Sequence, residues 1–496
     1  MRWTRTSFMV AAVVSGIVVS GVAPGFGQDD WQTATLDSLT ARLDAQAAEI
    51  RQLQHQLDRR NLASGPPSIH RPVNPWVAMD DISAGDAWHT ASHATTATEV
   101  DGPSFFADYD NGFAIRPFRP DRHPFELKVN GWIQFRHHGF ARDVTSWTDN
   151  AGVTRQVRNR NAFDVERGRL ILSGFALDQR LTYFLHLDGD TDGGHAVDFF
   201  DYWWAWEFSD RFQLQMGKRK VPASRQWLLT ARSTRFVERP LANDFFRPDR
   251  TVGLFGIGRV GDRGHYEVMV GNGYQSANVP NSATDDQWTF AATNYFDLLG
   301  NYGGQIVDYD NTCDPRLRIG HSIVYSPNTS ESVGVPLEET AFLRLADGTR
   351  LTQAGALAPR VTVSEYDLYL YGVDLAMKWR GWSLNAEAFF RWIEQIRGNG
   401  PLPVTDLLQR GFYVEGGHFI IPQTLDWNVR YSQVSGLFGD ASEYAAGFNW
   451  YPLDTANMKI SFDVTLLDGS PLQNTASDIL VGDDGILVRT QFQAEF

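Results

Sequence analysis

From residue 125 to the C-terminus the chain alternates apolar and polar residues with a period of two. Phe125, Leu127, Val129, Gly131, Ile133 and Phe135 interleave with Glu126, Lys128, Asn130, Trp132, Gln134 and Arg136. Trp382, Leu384, Ala386, Ala388, Phe390 and Trp392 interleave with Ser383, Asn385, Glu387 and Arg391. The last segment places Ile486, Val488, Phe492, Ala494 and Phe496 on one face and Arg489, Gln491, Gln493 and Glu495 on the other. Side chains of successive strand residues point to opposite faces, so these segments are strands with one dry and one wet side. A soluble sandwich also alternates, but it hides its apolar faces inside and rarely ends on an apolar residue.

Strands are expected near 125–137, 163–175, 180–188, 197–208, 211–218, 251–260, 264–272, 288–297, 316–326, 365–379, 381–393, 409–420, 423–433, 442–451, 456–467 and 485–496. Short turns at Ser209-Asp210, Gly261–Arg263, Arg380, Ile421-Pro422 and Pro452–Thr455 alternate with long polar connections at 138–162, 219–250, 273–287, 327–364, 394–408 and 468–484. One expected turn, 298–315, is long. Short turns on one side and long loops on the other describe an all-β transmembrane antiparallel barrel of about sixteen strands over residues 119–496, placed in the outer membrane. Closure of such a barrel satisfies every backbone polar group without water. The 16 Trp and 16 Tyr suit aromatic girdles at two membrane interfaces.

The N-terminus reads as a secretory signal peptide over 1–27: Arg2 and Arg5, an apolar core from Phe8 to Val19, and Gly25-Phe-Gly27 before the cut. Within 28–62, Leu36, Leu43, Ile50 and Leu57 fall seven apart, with Leu39 and Leu53 at the second apolar position and Gln46 interrupting it. This is a short coiled-coil helix. A Pro-rich stretch, Ser64 to Pro75, opens a linker and periplasmic segment over 63–118, and residues 76–118 show no clear period.

The net charge of −15 argues against a nucleic-acid partner. On the cleaner strands the wet face carries Lys128, Arg136, Lys378, Arg391, Arg430, Lys459 and Arg489 against Glu126, Asp374, Glu387, Asp426, Asp463 and Glu495, a near balance that suits a water-filled pore. Segment 211–250 differs. Arg211, Lys218, Arg219, Lys220, Arg225, Arg232, Arg235, Arg239, Arg247 and Arg250 stand against Glu238, Asp244 and Asp249, ten basic minus three acidic. Folded into the lumen, such a loop would set guanidinium groups at a constriction, and rings of Arg or Lys select anions. Left outside, it would bind anionic lipopolysaccharide or pair with acidic loops.

Asp108-Tyr-Asp-Asn-Gly-Phe-Ala-Ile-Arg116, Phe125-Glu-Leu-Lys-Val-Asn-Gly-Trp-Ile-Gln-Phe135, Gln215-Met-Gly-Lys-Arg-Lys-Val-Pro222, Phe236-Val-Glu-Arg-Pro-Leu-Ala-Asn243 and Gly411-Phe-Tyr-Val-Glu-Gly-Gly-His-Phe-Ile-Ile-Pro422 follow one another in order. Together they resemble the phosphate-selective porins O and P, from about Tyr109 to Phe496. The terminal Phe496 looks like the insertion signal of outer-membrane barrels. The resemblance implies a sixteen-stranded homotrimer set in outer-membrane lipid, with the loop after Lys218 folded inward. It also implies that arginines of this loop, Arg232, Arg235 and Arg239, then Arg247 and Arg250, bind small anions such as phosphate; Lys218, Lys220 and Arg225 of the same basic segment are expected beside them. The chain departs from the family's phosphate channels in having five Lys in total.

The expected function is passive diffusion of small anions. A general or differently selective porin is the alternative, and a barrel that tethers the envelope to peptidoglycan through its coiled coil is another. No cofactor or metal is expected: Cys313 lacks Cys/His metal spacing. No enzyme is expected either, because none of the 12 His lies in a nucleophile motif, and the neighbours His137 and His138 point to opposite faces of a strand.

Overall fold

The computed structural model describes residues 104–191, 197–276, 284–330 and 343–496. The signal peptide, the coiled coil and the Pro-rich stretch lie outside these residues. Two strands come first, β1 (Phe105–Tyr109) and β2 (Phe113–Pro117), followed by β3 (Leu127–Arg142), the small pair β4 (Ser146–Thr148) and β5 (Thr154–Gln156), and β6 (Arg160–Ala176). Then come β7 (Asp178–Gly189), β8 (Val197–Ser209), β9 (Phe212–Lys220), β10 (Arg250–Val260), β11 (Gly264–Gly271), β12 (Thr289–Leu299) and β13 (Arg316–Thr329). The chain ends with β14 (Val363–Trp379), β15 (Trp382–Gly398), β16 (Leu407–Ile421), β17 (Leu425–Gly436), β18 (Gly439–Trp450), β19 (Met458–Asp468) and β20 (Gly485–Glu495).

β3 and β6 to β20 pair antiparallel in sequence order, and β20 pairs back onto β3, from Gly485↔Arg142 to Glu495↔Trp132. The result is a closed sixteen-stranded barrel. All sixteen segments expected from the alternation are strands. The alternation also sets their faces. Ile133, Phe135, Phe412, Val414, Val464, Leu466 and Ile486 are exposed on the outer wall, whereas Lys128, Gln134, Arg136, Gln491 and Gln493 are buried inside. An apolar outer wall on a barrel without free edges is what a bilayer requires. No helix among the described residues is long and apolar enough to cross a membrane; the strands do so.

The seam of the barrel lies at β3. Phe496 exchanges backbone hydrogen bonds with Gly131 at the end of β20. Beyond that point β2 takes over the same edge of β3, from Phe113↔Val129 to Ile115↔Leu127, with β1 as its hairpin partner. The Phe496 ring lies over Gly131, where a Cβ would come within 2.6 Å of it, and 5.8 Å from the Phe113 ring. Glycine at 131 therefore makes room for the terminal aromatic ring. This hairpin falls in the stretch whose sequence shows no period.

Turns at 177, 210–211, 261–263, 380–381 and 422–424 mark one end of the barrel, and the long connections mark the other. The long turn 300–315 belongs to the short-turn end. It folds into the barrel mouth: Lys378 and Asn385 donate to the carbonyls of Tyr302 and Ile306, and Tyr302 and Ile306 are buried.

The interior departs from a uniformly polar lining. At the short-turn end the inward residues are polar, such as Lys459, Ser461 and Asp463 on β19. Towards the long-loop end they become apolar: Phe140, Leu368, Ile393, Leu407, Val434, Leu467 and Leu487. These side chains join Leu241, Phe246, Leu345, Leu351, Leu472 and Ile479 of the inward-folded loops in one apolar core. Alternation along a strand separates two faces but does not show that the inner face will be covered by loops.

Candidate functional site: the inward loop

Loop 221–249 connects β9 to β10 and runs inside the barrel. It opens with a one-turn helix, Arg225–Leu228, whose N-cap Ser224 accepts a hydrogen bond from Trp227 N. A 3-10 turn follows over Ala231–Ser233, then an extended run through Pro240 and a helix over Leu241–Phe246. Phe246 stacks on the inward Phe389 at 5.4 Å and 14°. Gly411 gives it space, since a Cβ there would lie 2.5 Å from the Phe246 ring.

The wall charges form the socket for this loop. The Glu387 carboxylate accepts from Ser224 Oγ and Gln226 N, both at 2.6 Å. Asp463 accepts from Val237 N at 3.0 Å and Glu443 from Leu241 N at 2.7 Å. Basic residues take the loop carbonyls: Lys459 donates to Arg232 O and Thr234 O, Arg430 to Glu238 O, and Arg391 to Phe245 O. Wall pairs such as Arg489–Asp463, at 2.9 and 3.1 Å, neutralise what remains. The near balance of charge read from the sequence is therefore the balance of a buried hydrogen-bonded network, in which each charge has a partner.

One acid of the loop is held by two wall guanidiniums. Glu238 Oε1 lies 2.6 Å from Arg136 Nη2 and 2.5 Å from Arg167 Nη1. Burial raises its carboxyl, but the charges of Arg167 and Arg136 outweigh that and hold it well below the usual carboxylate range.

Five of the eight candidate residues make ion pairs. Arg225 pairs with Asp374 at 2.8 Å, Arg232 with Glu495 at 2.6 Å, Arg247 with Asp244 at 2.9 Å and Arg250 with Asp201 at 2.8 Å. Arg235 lies 3.8 Å from Glu415, and it donates to Asn428 Oδ1, Ser383 Oγ and Ile306 O, joining the inward loop to the turn in the opposite mouth. Lys218 donates to Phe199 O and stands in register with Tyr202 and Val252, whose side chains are exposed on the outer wall.

The structure gathers Lys220, Arg239, Arg247 and Arg250 around one indole. Arg247 Cζ is 4.2 Å from the Trp227 ring, Lys220 Nζ 5.2 Å, and Arg239 and Arg250 Cζ each 5.4 Å. Cations at this range are attracted by the ring's negative face. Arg239 hydrogen-bonds to the carbonyls of Gln226 and Leu229. Burial and then the like charge of Arg247 lower its pKa to about 10. Trp227 was not among the residues expected from the sequence. Its position one turn into a basic loop was the available signal.

A closed barrel with an apolar outer wall, long loops at one end and loops folded inside defines an outer-membrane channel. The family described as phosphate-selective porin O and P matches residues 138–314, the family that the sequence resembles, and this stretch holds the motifs Gln215–Pro222 and Phe236–Asn243. No curated protein matches the chain. Among solved structures, an anion-selective porin from Comamonas acidovorans is 10% identical with a TM-score of 0.49, covering 75% of this chain and 99% of its own. The outer membrane channel DcaP of Acinetobacter baumannii is 9% identical with a TM-score of 0.47, covering 75% and 97%. Salmonella typhi OmpF is 12% identical with a TM-score of 0.47, covering 79% and 100%. The closed barrel and the partial family match point to a channel.

Proposed function

We propose that this porin passes small anions, phosphate among them, past the cations that surround Trp227. The observation that carries this reading is the grouping of Lys220, Arg239, Arg247 and Arg250 about a single ring. Burial, and after it the like charge of Arg247, lowers the pKa of Arg239; an anion beside it would act in the opposite sense. In a narrow low-dielectric passage such a field raises the local concentration of anions. Reversal potentials of single channels in a KCl gradient test the reading. The wild type should be anion-selective, and an Arg239→Met, Arg247→Met double variant should lose much of that preference. A cation-selective wild type would overturn it.

A second reading, a general diffusion porin, draws on the ion pairs of Arg225, Arg232, Arg235, Arg247 and Arg250, which leave little net field. Equal permeabilities of potassium and chloride in the same measurement would favour it. The homotrimer is inferred from the family resemblance, and crosslinking in the membrane reads it directly. The cell-wall tether rests on the coiled coil, outside the described residues; deleting 28–75 and assaying envelope attachment alongside conductance tests it.

A further inference from the structure

We infer that His138, Asp164 and Asp478 form a binding site for one divalent metal ion of the zinc class at the long-loop end of the barrel. Among the described residues this is the group of His, Cys, Asp and Glu side chains whose ligand atoms converge, all within 4.8 Å of one another. His138 Nδ1 lies 2.8 Å from Asp478 Oδ1 and 3.4 Å from Asp164 Oδ2. Two donors each about 2.1 Å from a zinc ion in tetrahedral geometry are separated by about 3.4 Å, so these separations are near those of a bound set.

Two further observations point to a ligand. First, the approach of His138 Nδ1 to the carboxylates is not a hydrogen bond. The nitrogen is buried without a hydrogen-bond partner, and so is Asp164 Oδ1, on a carboxylate whose side chain is 9% exposed. Buried polar atoms of this kind call for a partner. Second, Asp478 uses its other oxygen, Oδ2, to hold Arg136 Nη1 at 3.0 Å, which orients Oδ1 towards the histidine.

The donor set is one imidazole and two carboxylates, with room in the coordination shell for water, as in open zinc sites. The ligands come from β3, β6 and the turn after the 3-10 helix Thr475–Ser477, where Asp478 has φ 61°. Their separation in sequence explains why no metal spacing was visible. A bound ion would tie the 469–484 loop to two wall strands. It would also act on the inward loop, because Asp478 and Glu238 share Arg136.

The test is titration of Zn2+ into chelator-stripped, full-length protein in detergent, by calorimetry, for the wild type, Asp164→Asn and His138→Gln. One Zn2+ per chain is expected for the wild type, with affinity at least tenfold weaker in each variant. X-ray absorption of the loaded wild type should show nitrogen and oxygen ligands. Heat-modified mobility on gels confirms that the variants fold, and if one does not, the other variant and the absorption spectrum decide. A wild type that binds no Zn2+, or variants that bind it equally well, would overturn the site.

Discussion

Glu238 and Arg136, 102 residues apart in sequence, meet at 2.6 Å inside the barrel. The carboxylate is the inward loop's own, and the guanidinium belongs to β3, the strand that closes the barrel. Substituting Glu238→Gln leaves Arg136 and Arg167 without their shared charge. Breaking a buried pair from one side costs about 3–5 kcal/mol. The variant should lose heat resistance on gels, and its single-channel conductance should rise and fluctuate as the loop leaves the wall.

The same contact fixes a pH dependence. The folded-state value of Glu238 is depressed relative to the unfolded carboxyl, which titrates near about 4.3. Its contribution is therefore fully present above that pH and is lost as the pH falls towards the folded value. Unfolding temperatures should be level from pH 7 to about 5 and decline below it, and the decline should be shallower in Glu238→Gln.

Phe246 anchors the end of the loop by packing rather than by charge. It is fully buried against Phe389. Phe246→Ala should cost about 3–5 kcal/mol, seen as a lower denaturant midpoint. It should also increase conductance without the change in acid response expected of the Glu238 variant.

At the seam, Gly131→Val would drive a side chain into the Phe496 ring. Less folded barrel should be recovered from the outer membrane, while Gly139→Val, on the same strand at a site where the nearest atom to a Cβ is His137 Cε1 at 4.0 Å, should leave recovery unchanged.

The strands were legible because a barrel in lipid sorts residues two by two, as along 125–136, and that is a local signal. The faces were legible for the same reason, down to His137 outside beside Phe163 and His138 inside. The basic loop was also legible as an excess of charge. Its partners were not: Arg225 with Asp374, Arg232 with Glu495 and Arg136 with Glu238 are joined only when distant strands close the sheet. The sequence shows ten positive residues; the closed barrel decides which acids they meet and that four of them gather at Trp227. Nor does a polar-apolar period reveal that Phe140, Leu467 and Leu487 face inward against other loops.

The loop leaves the wall between β9 and β10 and is bonded to the arc that runs from β14 through β20 to β3 and β6. Mechanically it is a set of spokes. Lateral pressure from the bilayer that would flatten an empty tube must here stretch charge-assisted bonds across the diameter. The barrel is thereby braced from within, and a change that loosens the inward loop also softens the wall that holds it.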